Sequence, residues 1–148
     1  MAGHCCVVTH ASFSQINQFI FASTDSLIKQ NELIQADADI LIGGHCGLQA
    51  IDGRLWLNAG VIGLPVNDVT VDGWYLVMEP QSTSIKISWH RLQYDYQQCF
   101  QDMQSAGLMA YASCIKSGLW PTMDILPDSE RSQQGIPLQP EDMIFSID

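Results

Sequence analysis

Basic residues, and charged residues in general, are scarce in this sequence. Only 6 of its 148 residues are Lys or Arg, against 16 Asp or Glu, and the formal net charge is −10. A chain of this charge repels phosphate backbones and anionic lipid surfaces. We therefore expect no nucleic acid partner and no membrane partner. The surplus of carboxylates is compatible with a protein that binds divalent cations.

Long apolar runs and an even set of cysteines are also missing. No stretch approaches the roughly 18 apolar residues that a membrane-spanning helix needs, and residues 1–10 lack the basic start and apolar core of a signal peptide. The five cysteines are an odd number and do not suit a disulfide scaffold. Together these absences predict a cytoplasmic protein. Hydrophobic residues make up 47% of the chain, which is enough to form a core.

Several short apolar runs are typical of β-strands. The run Asp39–Gly43 has the composition of a strand covered on both faces, and Asp52-Gly53 favours a two-residue hairpin turn within Ile51–Arg54. The segment 85–90 alternates apolar and polar residues, which indicates a strand with one wet face. The predicted strands are 5–9, 39–43, 49–51, 55–57, 74–78 and 85–90.

Helical periodicity occurs between these strands and after them. The predicted helices are 12–21, one from Thr24 or Asp25 to Ala36, 96–109 and 109–117. In the second of these, the residues expected to face inward are Leu27, Ile28, Leu33 and Ile34. The segment 128–140 is rich in Pro, Ser and Gln, and we expect it to follow the surface or to be mobile. Strands alternating with helices predict an α/β fold.

Two histidines stand directly after predicted strands. His45 lies in the stretch Gly43-Gly44-His45-Cys46-Gly47, and His10 follows the run that ends at Thr9. Open α/β sheets bind ligands at the carboxyl ends of their strands, so the two side chains converge if those strands are neighbours. A neutral imidazole is a good ligand for a divalent metal. Taken singly, each residue is better explained as an ordinary loop histidine.

A second possible metal site comprises His4, Cys5, Cys6 and His10. Zinc needs ligands that face one point, whereas adjacent cysteines on a strand face opposite sides, so the pattern favours a zinc site only weakly. Further along, the stretch from Asn58 to Gly63 forms a Gly-containing turn after a predicted strand. Such a turn either lines a pocket or only reverses the chain.

The order of these segments resembles a known family. The stretch ADILIGGHCGLQAIDGRLWLNAGVIGLP, followed by WYLVME and ISWHRLQYD and preceded by VVTHAS, is similar to the C-terminal half of bacterial calcineurin-like metallophosphoesterases. The resemblance covers about Cys6 to Tyr96. It implies a four-layer α/β sandwich with a mixed sheet and flanking helices. It also implies a metal-dependent phosphatase, a hydrolase acting on a phosphoester small molecule or a phosphoprotein.

By the same resemblance, His10 and His45 match two ligands of one metal ion, which would be Mn, Fe, Zn or a similar divalent ion. Cys46, Asn58 and Gly60 would shape the adjoining loop, and no catalytic residue is assigned. The sequence departs from the family pattern in two ways. Gly47 stands where the second His of GHxH is expected, and the N-terminal motifs DxH, GD and GNH, which supply most carboxylate ligands, are missing.

These departures predict a truncated chain that is weakly active or inactive alone. Residues 1–96 would be the C-terminal half of the metallophosphoesterase-like domain, 97–126 a helical extension, and 127–148 an acidic tail rich in Pro, Ser and Gln. The alternative is a non-catalytic interaction domain. It would pair its open sheet with a partner such as the missing N-terminal half, or with itself as a homo-oligomer.

Overall fold

The computed structural model describes residues 3–45 and 55–146. Within these residues the fold is α/β, with two small sheets and four helices. The strands are β1 (Cys6–Val8), β2 (Ile40–Gly43), β3 (Leu55–Asn58), β4 (Gly73–Pro80), β5 (Ser84–Leu92) and β6 (Met143–Ser146). The helices are α1 (Ser26–Gln35), α2 (Tyr96–Ser105), α3 (Met109–Ser117) and α4 (Asp128–Arg131). The predicted α/β class is confirmed at this level.

The first sheet has the strand order β1-β2-β3, and both pairs of neighbours are parallel. Leu41 of β2 packs with Leu33 of α1 in one buried cluster, on one face of the sheet. Ile40 packs with Ile85 and Ile87 of β5 in a second cluster, on the other face. The central strand is therefore covered on both sides, as the apolar run at 39–43 predicted.

The strand predicted at 55–57 is present as β3, but its described neighbour is β2, to which it runs parallel. Ile40 lies opposite Leu55, and Gly43 lies opposite Asn58. The predicted turn at Ile51–Arg54 and the strand at 49–51 lie outside the described residues.

The helix predicted over 12–21 is wrong, because this segment is a series of turns. The Ser12 hydroxyl donates to the Gln15 carbonyl and accepts from the Gln15 amide, which is a local alternative to helical hydrogen bonding. The carboxylate of Glu32 on α1 accepts from the amides of Phe13 and Ser14. Hydrogen bonds to a residue distant in sequence therefore hold the segment in its turns.

Helix α1 begins after Asp25, whose side chain accepts from the Leu27 amide, as the capping pattern predicted. The predicted inward face is mostly wrong, since Leu33 is buried but the other three apolar residues are exposed. Lys29 and Glu32 are buried instead, and the Lys29 ammonium donates to the Ala22 carbonyl. The turns at 12–24 cover this polar side of the helix, and so they displace the apolar residues outward.

The second sheet has the order β4-β5-β6. In β5 the predicted inward residues Ile85 and Ile87 are fully buried, but Ser88, predicted on the wet face, is buried as well. β6, which sequence patterns did not predict, runs antiparallel to β5, and Phe145 lies opposite Ile85.

The chain folds into two compact units. The first comprises Met1–Gly60, Leu76–His90 and Pro140–Asp148, and the second comprises Val61–Tyr75 and Arg91–Gln139. Within the second unit, α2 and α3 form a helical pair joined at Gly107, whose φ is +76°. The boundaries predicted at 96 and 126 stay predictions.

The buried carboxylate of Asp68 connects several segments of the second unit. Asp68 accepts from the Thr70 amide and from the Leu138 amide, and its carboxylate lies 3.6 Å from the Arg91 guanidinium. The guanidinium in turn stacks over the Trp74 ring at 4.6 Å from its centroid. The segment predicted to follow the surface therefore hydrogen bonds to residue 68.

Candidate functional site

The first unit brings the two predicted histidines together. His10 follows β1 and His45 follows β2, and because these strands are parallel neighbours, their carboxyl ends meet at one edge of the sheet. The centroids of the two imidazole rings lie 4.9 Å apart. The amide of Gly44 donates to the His10 carbonyl at 2.9 Å, so the two strand ends are also joined through the backbone.

Gly43 allows this close approach of the strand ends. A Cβ atom at this position would lie 2.7 Å from the Ala11 carbonyl oxygen and 3.0 Å from the Trp56 ring. Real Cβ atoms do not tolerate a backbone atom at the first of these distances. Gly43, two residues before His45, therefore has to be a glycine for steric reasons.

Two aromatic residues from the turns at 12–21 support His45. The Phe19 ring stacks on the His45 ring with centroids 4.5 Å apart, and Phe21 stacks parallel to Phe19 at 5.8 Å. Phe21 is buried, so it anchors this stack in the first unit. Sequence patterns missed this role because they assigned Phe19 to a helix, and no local signal identifies a loop phenylalanine as a neighbour of His45.

His45 has an unusual backbone and a perturbed imidazole. Its φ of +72° lies in the left-handed region, which is costly for a residue other than glycine and is often found at functional sites. Burial, and secondarily the neighbouring His10, lower the pKa of His45. Its Nε2 atom is buried and makes no hydrogen bond within the described part of the chain. The ring is therefore neutral at pH 7, which is the form that binds metals.

Asn58, at the end of β3, fixes the backbone of this loop. Its side chain is fully buried, and Nδ2 donates to the Gly44 carbonyl at 2.8 Å. Its Oδ1 accepts from the Gly60 amide at 2.9 Å, and its own carbonyl accepts from Trp89 Nε1. Asn58 and Gly60 thus lie beside Gly44, the residue that precedes His45. Cys46, also expected at this loop, lies outside the described residues.

The second possible cluster does not come together within one chain. His4 lies two residues before β1 and His10 two residues after it, and the described residues contain no group of three or more side chains suited to a metal. His4 instead pairs with Asp39, whose Oδ2 lies 3.4 Å from His4 Nδ1 and accepts from the Cys5 amide at 3.0 Å. The His4 ring also packs edge-on against Phe145 of β6.

The His10–His45 pair fits part of a metal site. Two imidazoles supply two nitrogen ligands, but no group of three or more His, Cys, Asp or Glu side chains suited to a metal occurs in residues 3–45 and 55–146. A single ion therefore needs ligands beyond these two, and a dinuclear centre needs bridging carboxylates that the described chain does not place here.

No protein-family model matches this chain, and no curated protein or solved structure matches it either. Across the part of the chain that the structure describes, the helices are too short or too polar to cross a lipid bilayer.

Proposed function

We propose that this chain is a metallophosphoesterase-like module whose His10 and His45 hold one divalent ion, Mn, Fe, Zn or similar, when a partner supplies further ligands. The observation that supports the proposal best is the approach of the two imidazoles at the ends of adjacent parallel strands. In this proposal the module acts in the cytoplasm on the phosphoester of a small molecule or a phosphoprotein.

The layering of the first unit also supports this proposal. Helix α1, the first sheet and the second sheet follow one another as layers around two buried clusters. A helix, a sheet and a second sheet in this order are three of the layers in the sandwich that the resemblance implies. The Asn58 side chain donates to the carbonyl of Gly44, beside His45, which also supports the proposal.

The number of metal ligands determines how much phosphoester hydrolysis we expect. A bound divalent ion would lower the pKa of a water molecule and neutralise a phosphate, but two imidazoles alone hold such an ion weakly. We therefore expect negligible hydrolysis of p-nitrophenyl phosphate by the isolated chain with added manganese. Robust turnover that His45→Ala abolishes would refute the claim that essential ligands are missing.

Metal binding tests the role of the histidines directly. Zinc or manganese titrated into the chain by calorimetry should bind with an affinity that His10→Ala and His45→Ala each lower at least tenfold. His90→Ala is the matched control, because this exposed histidine lies on β5, outside the site. Equal affinities for all three variants would defeat the proposal.

A non-catalytic interaction domain is the second candidate function, and the edge of the first sheet favours it. β1 has β2 on one side and no other described strand on the opposite side. Val8 on this edge is 73% exposed, although it is a large apolar residue. Uncharged open edges of this kind pair readily with other chains.

A further inference from the structure

We propose that the outward face of helix α1 is a dimerisation surface, on which a second copy of this chain docks with the two α1 helices antiparallel. This surface does not include His10 or His45, and the docking needs no metal. Its failure would therefore leave the proposed metal site untouched.

Helix α1 presents apolar residues to solvent. Lys29, Glu32 and Leu33 are buried and mark its inward side. Leu27 and Ile34 lie on the opposite side, because a spacing of seven residues returns to the same face of a helix. Leu27 is 65% exposed and Ile34 is 61% exposed. This arrangement is the reverse of an ordinary surface helix, whose apolar side faces the core.

The buried charged residues fix the helix in this orientation. The Lys29 ammonium donates to the Ala22 carbonyl. The Glu32 carboxylate accepts from the amides of Phe13 and Ser14. Rotation of the helix to bury its apolar side would break these bonds, and a buried charge without partners costs more than an exposed leucine. The apolar side therefore stays outward, where another chain can reach it.

The apolar surface is wider than these two residues. Ile28, one helical turn before Glu32, is exposed, and so is Phe13, which lies beside α1 through its hydrogen bond to Glu32. Together with Leu27 and Ile34 they make four large exposed apolar side chains on or beside one helix. Groups of this kind mark interaction sites on proteins in water.

The charge of this face favours a second copy as its occupant. The exposed residues of α1 are all uncharged, namely Ser26, Leu27, Ile28, Gln30, Asn31, Ile34 and Gln35. A partner that docks through charged side chains would find no opposite charge on them. The chain as a whole carries a net charge of −10, so two copies repel each other wherever their acidic surfaces meet. On this face they can pack together without placing like charges in contact.

The spacing of the apolar residues sets the register. A two-fold axis between Gln30 and Asn31 would place Leu27 against the partner's Ile34 and Ile34 against the partner's Leu27. Such an interface is self-complementary by symmetry. The central amide side chains would face each other, and each amide can both donate and accept. A parallel pair would instead set two helix N-termini of the same partial charge side by side.

The size of the contact predicts a weak dimer. Helix α1 has ten residues and is therefore about 15 Å long. A contact of this length buries less than the roughly 1,200 Å² of a stable interface, and the net charges oppose it. We expect a dissociation constant of about 10–100 µM, measured by sedimentation equilibrium in EDTA and a reducing agent. Raising the salt from about 0.05 M to about 0.5 M should strengthen the dimer by screening the repulsion.

Variants at exposed positions test the surface. Leu27→Ser and Ile34→Ser should each raise the dissociation constant about tenfold or more. The matched control is Ile144→Ser, which removes an isoleucine of β6 that is 68% exposed and should leave the dimer unchanged. Val8→Lys, at the open edge of β1, should also leave it unchanged. Circular dichroism checks that each variant is folded. A wild-type chain that stays monomeric up to about 500 µM, or a dimer lost in Val8→Lys and kept in Leu27→Ser, would overturn the proposal.

A pair of charged variants tests the antiparallel register. Leu27→Glu and Ile34→Lys should each be monomeric alone, because each sets a charge against an apolar residue of the second copy. In a mixture, the antiparallel arrangement brings the introduced carboxylate opposite the introduced ammonium, and a heterodimer should form. A parallel arrangement would leave both charges against apolar residues. A mixture that stays monomeric would therefore overturn the antiparallel pairing.

Discussion

Replacing Asn58 by Ala tests how the loop that carries His45 is held. The Asn58 side chain is fully buried, donates to the Gly44 carbonyl and accepts from the Gly60 amide. Each bond contributes about 1 kcal/mol net, and a buried backbone group left without a partner costs about 1–3 kcal/mol. We therefore expect Asn58→Ala to lower the free energy of unfolding by about 2–4 kcal/mol.

Urea unfolding with linear extrapolation measures this loss. The control is Asn17→Ala, an exposed asparagine in the turns of the first unit, which should change stability by no more than about 0.5 kcal/mol. The Asn58 variant should also bind zinc more weakly, because Gly44 precedes His45 directly. If both variants fall within 0.5 kcal/mol of the wild type, about the error of the comparison, the loop is not anchored by this amide.

Two further predictions concern a histidine and a glycine. Because the pKa of His45 is lowered in the folded state, the unfolded chain takes up protons first as the pH falls below about 6.5. Stability of the metal-free protein is thus fully present at higher pH and declines as the pH falls through the lowered pKa. Urea unfolding of His45→Gln in EDTA should show a flatter pH profile, and an unchanged profile would contradict this assignment. Gly118→Ala should cost about 3 kcal/mol in thermal unfolding, since its φ is +72° and a Cβ would lie 2.4 Å from the Val69 carbonyl carbon. Gly107→Ala, with a similar φ of +76° but nothing within 4 Å of the Cβ, should cost only about 1–2 kcal/mol, and equal losses would refute the steric explanation.

Sequence patterns predicted correctly those elements that depend only on residues close together in the chain. The apolar run 39–43 and the Asp25 cap each depend on residues close in sequence, and each prediction matches the structure. Segment 12–21 has helical spacing as well, but Glu32 accepts hydrogen bonds from its backbone and its serines bond locally. Such a bond between distant residues leaves no periodic signal. β6 was missed for the same reason, because its four residues become a strand by pairing with β5.

In the candidate site, too, the residues could be identified from the sequence but their contacts could not. His10 and His45 were identified from their places after strands, and only the parallel pairing of β1 with β2 brings them together. The stacking of Phe19 on His45 and the pairing of His4 with Asp39 join residues that are 26 and 35 positions apart in the chain, respectively. Neither contact can be derived from spacing, since each depends on the path of turns that the sequence pattern misassigned or left open.

Histidine-selective NMR during a zinc titration is the most direct test of the shared metal site. The chain has four histidines, so each ring can be followed by its own nitrogen and proton resonances. The resonances of His10 and His45 should shift together, reach saturation at one zinc ion per chain and return on addition of EDTA, while His90 stays unchanged. Resonances of His10 and His45 that remain at their metal-free positions, or a shift confined to one of them, would contradict a metal site shared by the two strand ends.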